Sequence, residues 1–381
     1  MKLALVRQKY NPYGGAERFV ERALGALEGQ GVAVTLITRK WKDGAQDQAS
    51  GRQVRVCNPF HLGRLWRDAG FARCVRRIVA RGEFDLVQSH ERIPGCHVYR
   101  AGDGVHATWL ELRARVQSPL ARWFTRLHPW HRYTLAAEAA MFRDSGLRAV
   151  ICNSAMVRDD ILRRFGVPAE KLHVIHNGVD LDFFHPGLRA EHRLAVRRQL
   201  GIPDDAPLLL YVGSGFERKG IPQLLAALAS LPAALHLVVV GKDKKVAAMR
   251  TRAVRLGLGE RVHFLGGQAD VRPWYGAADV FVLPTLYDPF PNAALEALAC
   301  GLPVLTSPGS GAAELVTPEC GAVADALDAA ALGRAAEALL ALDPARAAAA
   351  ARAAAARCAL PDMTARLLAL YAGLAGGRRP V

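Results

Sequence analysis

Short apolar runs alternate with longer amphipathic stretches along almost the whole chain. The runs at 2–6 (KLALV), 32–38 (VAVTLIT), 84–89 (FDLVQS) and 148–153 (RAVICN) predict one series of buried strands, with helices between them. A second series follows at 208–214 (LLLYVGS), 235–241 (LHLVVVG), 261–266 (RVHFLG), 279–284 (DVFVLP) and 303–307 (PVLTS). Alternating strands and helices build parallel sheets, because each helix carries the chain back to the edge where the previous strand began. Two doubly wound α/β domains are therefore expected. Between the two series, HVIHNGVDLDFFHPG (173–187) holds a strand end, an Asn-Gly turn and a Pro-Gly break. That places the boundary near residue 180, with an N-terminal domain at 1–180 and a C-terminal one at 181–358. The segment 359–381 reads as an amphipathic helix and tail, packing on its own domain or crossing back to the first. No short repeat is present.

The pattern also positions chemistry. In DPFPNAALE, Asp288 follows a strand and Glu296 lies inside the next helix, which Gly301 closes. Asp288 thus falls at the C-terminal edge of a parallel sheet, where such folds bind ligands. It suits sugar hydroxyls, while Glu296, a turn deeper, suits a ribose diol. The first helical amides, at Asn292, Ala293 and Ala294, are expected free for a phosphate. Taken alone, the two carboxylates read better as a turn residue and a solvated helix face, so the other motifs must decide. GFERKG (215–220) follows another strand and puts Arg218 and Lys219 at a helix start, where cations oppose the helix dipole. An anion between them resolves the conflict, since a guanidinium fork and an ammonium together neutralise a diphosphate without a metal. Gly213, Gly215 and Gly220 leave that backbone open to close approach. Gly14 and Gly15, opening the first helix, read as a turn or a phosphate loop; GxGxxG is absent, so no dinucleotide fingerprint is formed.

Composition narrows the partners. The chain has 381 residues, enough for two cores, and carries formal charge +15, which favours acidic partners. No nucleic-acid motif accompanies the charge, so nucleic acid is not expected. The seven cysteines are scattered, without a CxxC pair, and are expected as reduced cytoplasmic thiols. No run reaches transmembrane length, and the charged start lacks the apolar stretch of a signal peptide.

Taken in order, QKYNPYGGAER, VGSGFERKG, VHFLGG and ADVFVLPTLYDPFPNAALEALACGLPV resemble the family 4 retaining glycosyltransferases, and in particular the lipopolysaccharide core glucosyltransferases that act on heptose. The resemblance runs over nearly the whole chain. It implies the GT-B fold, two Rossmann-like doubly wound domains facing a cleft, and transfer of a hexose from a nucleotide-diphosphate sugar, a UDP-sugar above others, to a lipid-linked saccharide acceptor. Mapped onto matching positions, Arg218 and Lys219 hold the donor diphosphate, Asp288 the sugar hydroxyls and Glu296 the ribose, with Gly14, Gly15, Gly213, Pro291, Asn292, Ala293 and Ala294 as further donor-binding positions. The family usually has Glu where Asp288 stands, which opens the identity of the sugar, and many relatives stack an Arg near the position of Gln268, which opens the base. Asp103 matches a carboxylate near the reacting sugar; His90 and His106 are further acceptor-side candidates, the latter weaker because a lone loop histidine is more often a surface residue. No enzymatic nucleophile is evident, so front-face attack is expected, with no metal and no cofactor.

Between 111 and 134, Arg113, Arg115, Arg122, Arg126 and Arg132 interleave with Trp123, Phe124 and Trp130, just after Trp109. The segment RLWRDAGFARCVRRIVARG (64–82) adds more cations. Such mixtures suit an anionic membrane surface, here the cytoplasmic face of the inner membrane, or else form a helix pair with solvated arginines. Two other functions share the architecture: a nucleotide-sugar 2-epimerase, told apart by epimerised donor without acceptor, and a non-catalytic nucleotide-sugar-binding protein, which donor hydrolysis would exclude.

Overall fold

The computed structural model describes residues 1–9, 32–40 and 53–376. The chain divides into two compact units, Met1–Asn177 together with the segment from Pro361, and Gly178–Leu360.

The first unit carries a seven-stranded sheet in the order β3-β2-β1-β4-β5-β6-β7. Its strands are β1 Lys2–Lys9, β2 Ala33–Lys40, β3 Gln53–Val56, β4 Leu86–Ser89, β5 Val98–Arg100, β6 Ala149–Cys152 and β7 Leu172–Val174. Every pairing is parallel, with Leu3 between Val34 and Leu86. The second unit has a six-stranded parallel sheet, β10-β9-β8-β11-β12-β13. Here the strands are β8 Leu208–Val212, β9 His236–Val240, β10 Val262–Gly266, β11 Val280–Val282, β12 Val304–Thr306 and β13 Gly321–Val323. β2 is buried along its six inner positions, and β9 and β11 read as continuous apolar runs; helices cover both faces of such sheets, so period-two alternation disappears.

β3, β5 and β13 are absent from the apolar pattern, and β7 enters it only as the strand end at the start of 173–187. Each is short and carries a polar residue or a glycine among its three or four positions (QVRV, VYR, LHV and GAV), so no apolar run marks it. β5 lies between the candidates His90 and Asp103, and its three residues are all buried. The helix Leu360–Gly376 groups with the first unit, where Met363, Leu367 and Tyr371 form a buried stripe at four-residue spacing. Tyr371 Oη donates there to Gln88 Oε1 on β4.

One expectation fails. Cys57 and Cys74 form a disulfide, their Cα atoms 6.0 Å apart, whereas Cys96, Cys152, Cys300, Cys320 and Cys358 are free and buried. Cys57 immediately follows β3 and Cys74 lies on the helix Gly63–Val79 packed beside it, a proximity that a spacing of 17 residues does not announce.

Candidate active site

In the second unit, strand order reverses between β8 and β11, so the loops leaving these neighbours diverge and open a crevice at their C-terminal ends. Arg218 and Lys219 lie on the first loop and Asp288 on the second. Lys219 Nζ is 2.9 Å from Asp288 Oδ2, and Arg218 Nη1 is 3.7 Å from the same oxygen. Arg218 Nη1 also donates to Tyr287 O at 2.6 Å, while Arg218 O accepts the Leu286 amide at 2.8 Å. The two loops are thus stitched through backbone as well as charge. Two cations share one carboxylate, leaving the cluster positive, as a diphosphate requires.

The helix after Lys219 begins only at Ile221, so both cations precede it rather than start it. Gly220 forms the junction at φ 85°, and a Cβ there would lie 2.0 Å from Pro284 O, which leaves glycine alone able to fit. Gly213 makes room in another way: a Cβ on it would press on the Lys219 side chain at 3.2 Å. Asp243, just beyond β9, accepts the amides of Gly215 and Phe216 at 2.8 and 2.9 Å. Burial raises its carboxyl, but backbone donors from Lys245, Phe216 and Gly215 outweigh it and hold the group below the usual carboxylate range. These two amides are therefore spent on the protein.

The helix Asn292–Ala299 begins after Pro291, whose carbonyl accepts the Ala294 amide at 3.1 Å. The expectation of a free amide at Ala294 is therefore wrong: the first turn closes tightly on itself. Glu296, half-buried on this helix, accepts from Tyr275 Oη at 2.9 Å, which fixes its carboxylate. Asp243 and Tyr275 escaped the sequence reading. Asp243 had a signal in its position just past an apolar strand; Tyr275 had none. Gln268 is exposed and donates to Leu265 O.

In the first unit, His90 follows β4 and Asp103 follows β5. Gln88 Nε2 lies 3.2 Å from His90 Nε2. Burial, then Arg7 and Arg100, push the imidazole well below its ordinary pKa, so it stays neutral. Asp103 is exposed in the turn after β5. His106 is not the surface loop residue expected. It opens the helix His106–Ala114, is 6% exposed, and stands 3.0 Å from His131 Nδ1. Burial foremost, with Arg92 and His131 adding repulsion, lowers its pKa to about 3. Gly14 and Gly15 lie outside the described residues.

The segment 111–134 runs through three helices, His106–Ala114, Pro119–Leu127 and Pro129–Phe142. The middle one buries no residue, and Leu120, Trp123, Phe124 and Leu127 form one exposed apolar face at helical spacing. Trp130 differs: its indole donates to Asp68 Oδ2 at 2.7 Å and lies under Arg64. Among the described residues, no helix is long and apolar enough to cross a membrane.

This arrangement has relatives. Residues 193–356 match the family described as glycosyl transferases group 1, and residues 13–183 match glycosyltransferase family 4. The chain is 30% identical over 328 residues to the lipopolysaccharide glucosyltransferase WaaG of Escherichia coli K12, covering 85% of each chain. It is 35% identical over 243 residues to a D-inositol 3-phosphate glycosyltransferase of Xylanimonas cellulosilytica, covering 61% of this chain and 58% of that one. Among solved structures it superposes on WaaG, a glycosyltransferase involved in lipopolysaccharide biosynthesis, with TM-score 0.79 and 27% identity over 96% of this chain and 98% of that one. HepE of Anabaena, solved with UDP and glucose, shares the fold with TM-score 0.71 and 22% identity over 98% of this chain and all of that one, the latter covered at 100%. With two parallel-sheet units, a cation–carboxylate cluster at the reversal of strand order and a relative matching along most of its length, the chain belongs to the family 4 glycosyltransferases of the GT-B fold.

Proposed function

We propose that this glycosyltransferase is retaining and moves a hexose from a UDP-sugar, UDP-glucose first, to a lipid-linked saccharide acceptor in lipopolysaccharide core or other cell-envelope glycan assembly. The observation that carries the reading is the Lys219–Asp288–Arg218 cluster, poised where a diphosphate and its sugar would meet. The names of the relatives support it: one is a lipopolysaccharide glucosyltransferase, and one structural neighbour was solved with UDP-glucose. Arg218 and Lys219 take the donor diphosphate, Asp288 the sugar hydroxyls, and Glu296 the ribose, with Tyr275 holding it.

In the transfer step the acceptor hydroxyl oxygen bonds to the anomeric carbon on the face the diphosphate leaves. The bond from that carbon to the phosphate oxygen breaks, its electron pair stays with the diphosphate, and the same oxygen takes the hydroxyl proton. Lys219 and Arg218 stabilise the charge as it develops, which is where electrostatic catalysis acts most strongly. Asp103 is the carboxylate assigned to the reacting sugar. The cations do the work of a divalent ion, so transfer survives EDTA; inactivation reversed by Mg or Mn would overturn that point.

Membrane contact belongs to the same reading. The exposed face of Leu120, Trp123, Phe124 and Leu127, flanked by Arg122 and Arg126, would sit on an anionic cytoplasmic leaflet beside its acceptor. The deciding experiment is a panel of nucleotide sugars scored by thermal shift and by slow hydrolysis without acceptor, because a ligand of the native state raises its stability. Stabilisation and hydrolysis by UDP-glucose support the reading. Epimerised donor without transfer would replace it with the epimerase, and binding without any turnover would leave a binding protein.

A further inference from the structure

Asp103 is the third residue of a turn that Gly104 N–H closes on Ala101 O at 3.1 Å, with Gly104 at φ 64°. Its carboxylate is exposed, yet the backbone on either side of it is held from within. Asn153 Nδ2 donates to Gly102 O at 3.3 Å, and Arg92 Nη2 donates to Gly104 O at 2.8 Å. Asn153 is 2% exposed and stands just past β6. The same Arg92 donates through Nε to Glu138 Oε1 at 2.7 Å. Glu138, 1% exposed on the helix Pro129–Phe142, also accepts the His106 amide at 2.9 Å and the Ala107 amide at 3.4 Å. Arg92 and Glu138 therefore pin both ends of the link from Gly104 to His106.

Stability alone does not account for this pair. An apolar pair of equal volume often stabilises as well as a buried ion pair, which bears a large desolvation cost. What such a pair lacks is a second N–H aimed at the Gly104 carbonyl. A reacting carboxylate must be held to within a fraction of an ångström, and side chains from rigid elements do so best.

We propose that Arg92, anchored by Glu138 and assisted by Asn153, is a positioning residue that presents Asp103 to the reacting sugar. The proposal rests on the reading of Asp103 given above. Arg92→Lys keeps the charge beside Glu138 but loses the fork that reaches both Glu138 and Gly104 O.

The test is a double-mutant cycle of Arg92→Lys and Asp103→Asn, read as UDP release from UDP-glucose, with UDP affinity as the control on the second unit. Arg92→Lys alone should lower kcat on the order of a hundredfold, the scale of an ångström of misplacement, with KM for UDP-glucose and UDP affinity unchanged. In the Asp103→Asn background the same change should cost less than about threefold, because the group being positioned is already gone. Asn153→Ala, a milder change, should lower kcat severalfold in wild type and leave Asp103→Asn unaltered, which keeps the test open if Arg92→Lys folds poorly. Wild-type turnover by Arg92→Lys and Asn153→Ala beside a damaged Asp103→Asn would overturn the positioning alone. Equal losses of each variant in both backgrounds would do the same. Wild-type turnover by Asp103→Asn would remove Asp103 itself and this proposal with it.

Discussion

Two clusters of cations around a carboxylate lie at opposite ends of the same strands in the second unit. At the N-terminal edge, Arg189, Arg193 and Arg197, four residues apart on the helix Leu188–Leu200, converge on Asp279, the residue before β11. At the C-terminal edge, Arg218 and Lys219 meet Asp288. The composition is nearly the same and the wiring is not. Arg197 is fully buried, and its nitrogens reach Asp279 and the carbonyls of Ala277, Pro203, Asp204 and Ala206. Asp279 also accepts the Leu208 amide, which ties the start of β8 to the start of β11. Arg218 remains one third exposed at 34%, and among the described residues its guanidinium donates at hydrogen-bond distance through Nη1 alone, to Tyr287 O. A cluster whose donors are spent on backbone carbonyls can only staple a fold. One that keeps donors toward solvent can exchange them for a ligand, which is the physical difference between a structural and a functional ion pair.

Separate variants should split the two roles. Asp279→Ala leaves buried Arg197, half-buried Arg193 and exposed Arg189 without their carboxylate and should destabilise the second unit by about 3 to 5 kcal/mol, most of it from Arg197, while the folded fraction keeps its activity. Denaturant melts paired with activity per folded molecule check this, and an intact melt would break the contrast. Lys219→Ala should do the reverse, lowering transfer by about a hundredfold to a thousandfold with a smaller loss of stability than Asp279→Ala. Uridine binding should hardly change. Wild-type turnover would return the C-terminal cluster to a structural role.

Smaller effects sharpen the comparison. Glu296→Gln should weaken UDP affinity by about tenfold, the size of one charged hydrogen bond, and spare turnover at saturation. Unchanged affinity by calorimetry would remove its ribose role. Acid should affect the staple in a defined window. Burial raises the Asp279 carboxyl, but Arg193, Arg197 and Arg189 outweigh it and leave the pKa lowered. A carboxyl lowered on folding contributes stability above its unfolded pKa, about 3.9, and loses it as pH falls through the folded value. The second unit should therefore weaken below about pH 4, and Asp279→Asn should flatten that limb of the curve. An unaltered limb would exclude Asp279 as its source. Smallest of all, replacing Trp123 and Phe124 by Ser should reduce sedimentation with phosphatidylglycerol vesicles severalfold and leave neutral vesicles unbound, since cations near such a surface contribute about one kcal/mol each. Equal sedimentation would return the helix Pro119–Leu127 to a solvated face.

Much of this was legible in the chain. LLLYVGS, LHLVVVG and DVFVLP are buried strands because apolar residues long enough to span a covered sheet have no other stable place. Turn residues after them put Arg218, Lys219 and Asp288 at strand ends, so the candidates were visible one by one. Their assembly was not. Lys219 meets Asp288 only because β8 and β11 are neighbours, a pairing set by strand order and not by local pattern. Arg92 and Glu138 are 46 residues apart and Gln88 and Tyr371 are 283 apart, so no window of sequence contains either bond. Ala294 and His106 show the same limit from the other side: both were read as accessible, and a closed first turn and a buried helix start took them inward. Periodicity and turn chemistry act over a few residues and so could be read directly. Which charge is spent on the fold and which is kept for a ligand depends on what the packed chain places within 3 to 4 Å, about the reach of a hydrogen bond or ion pair, and that was decided only by the tertiary structure.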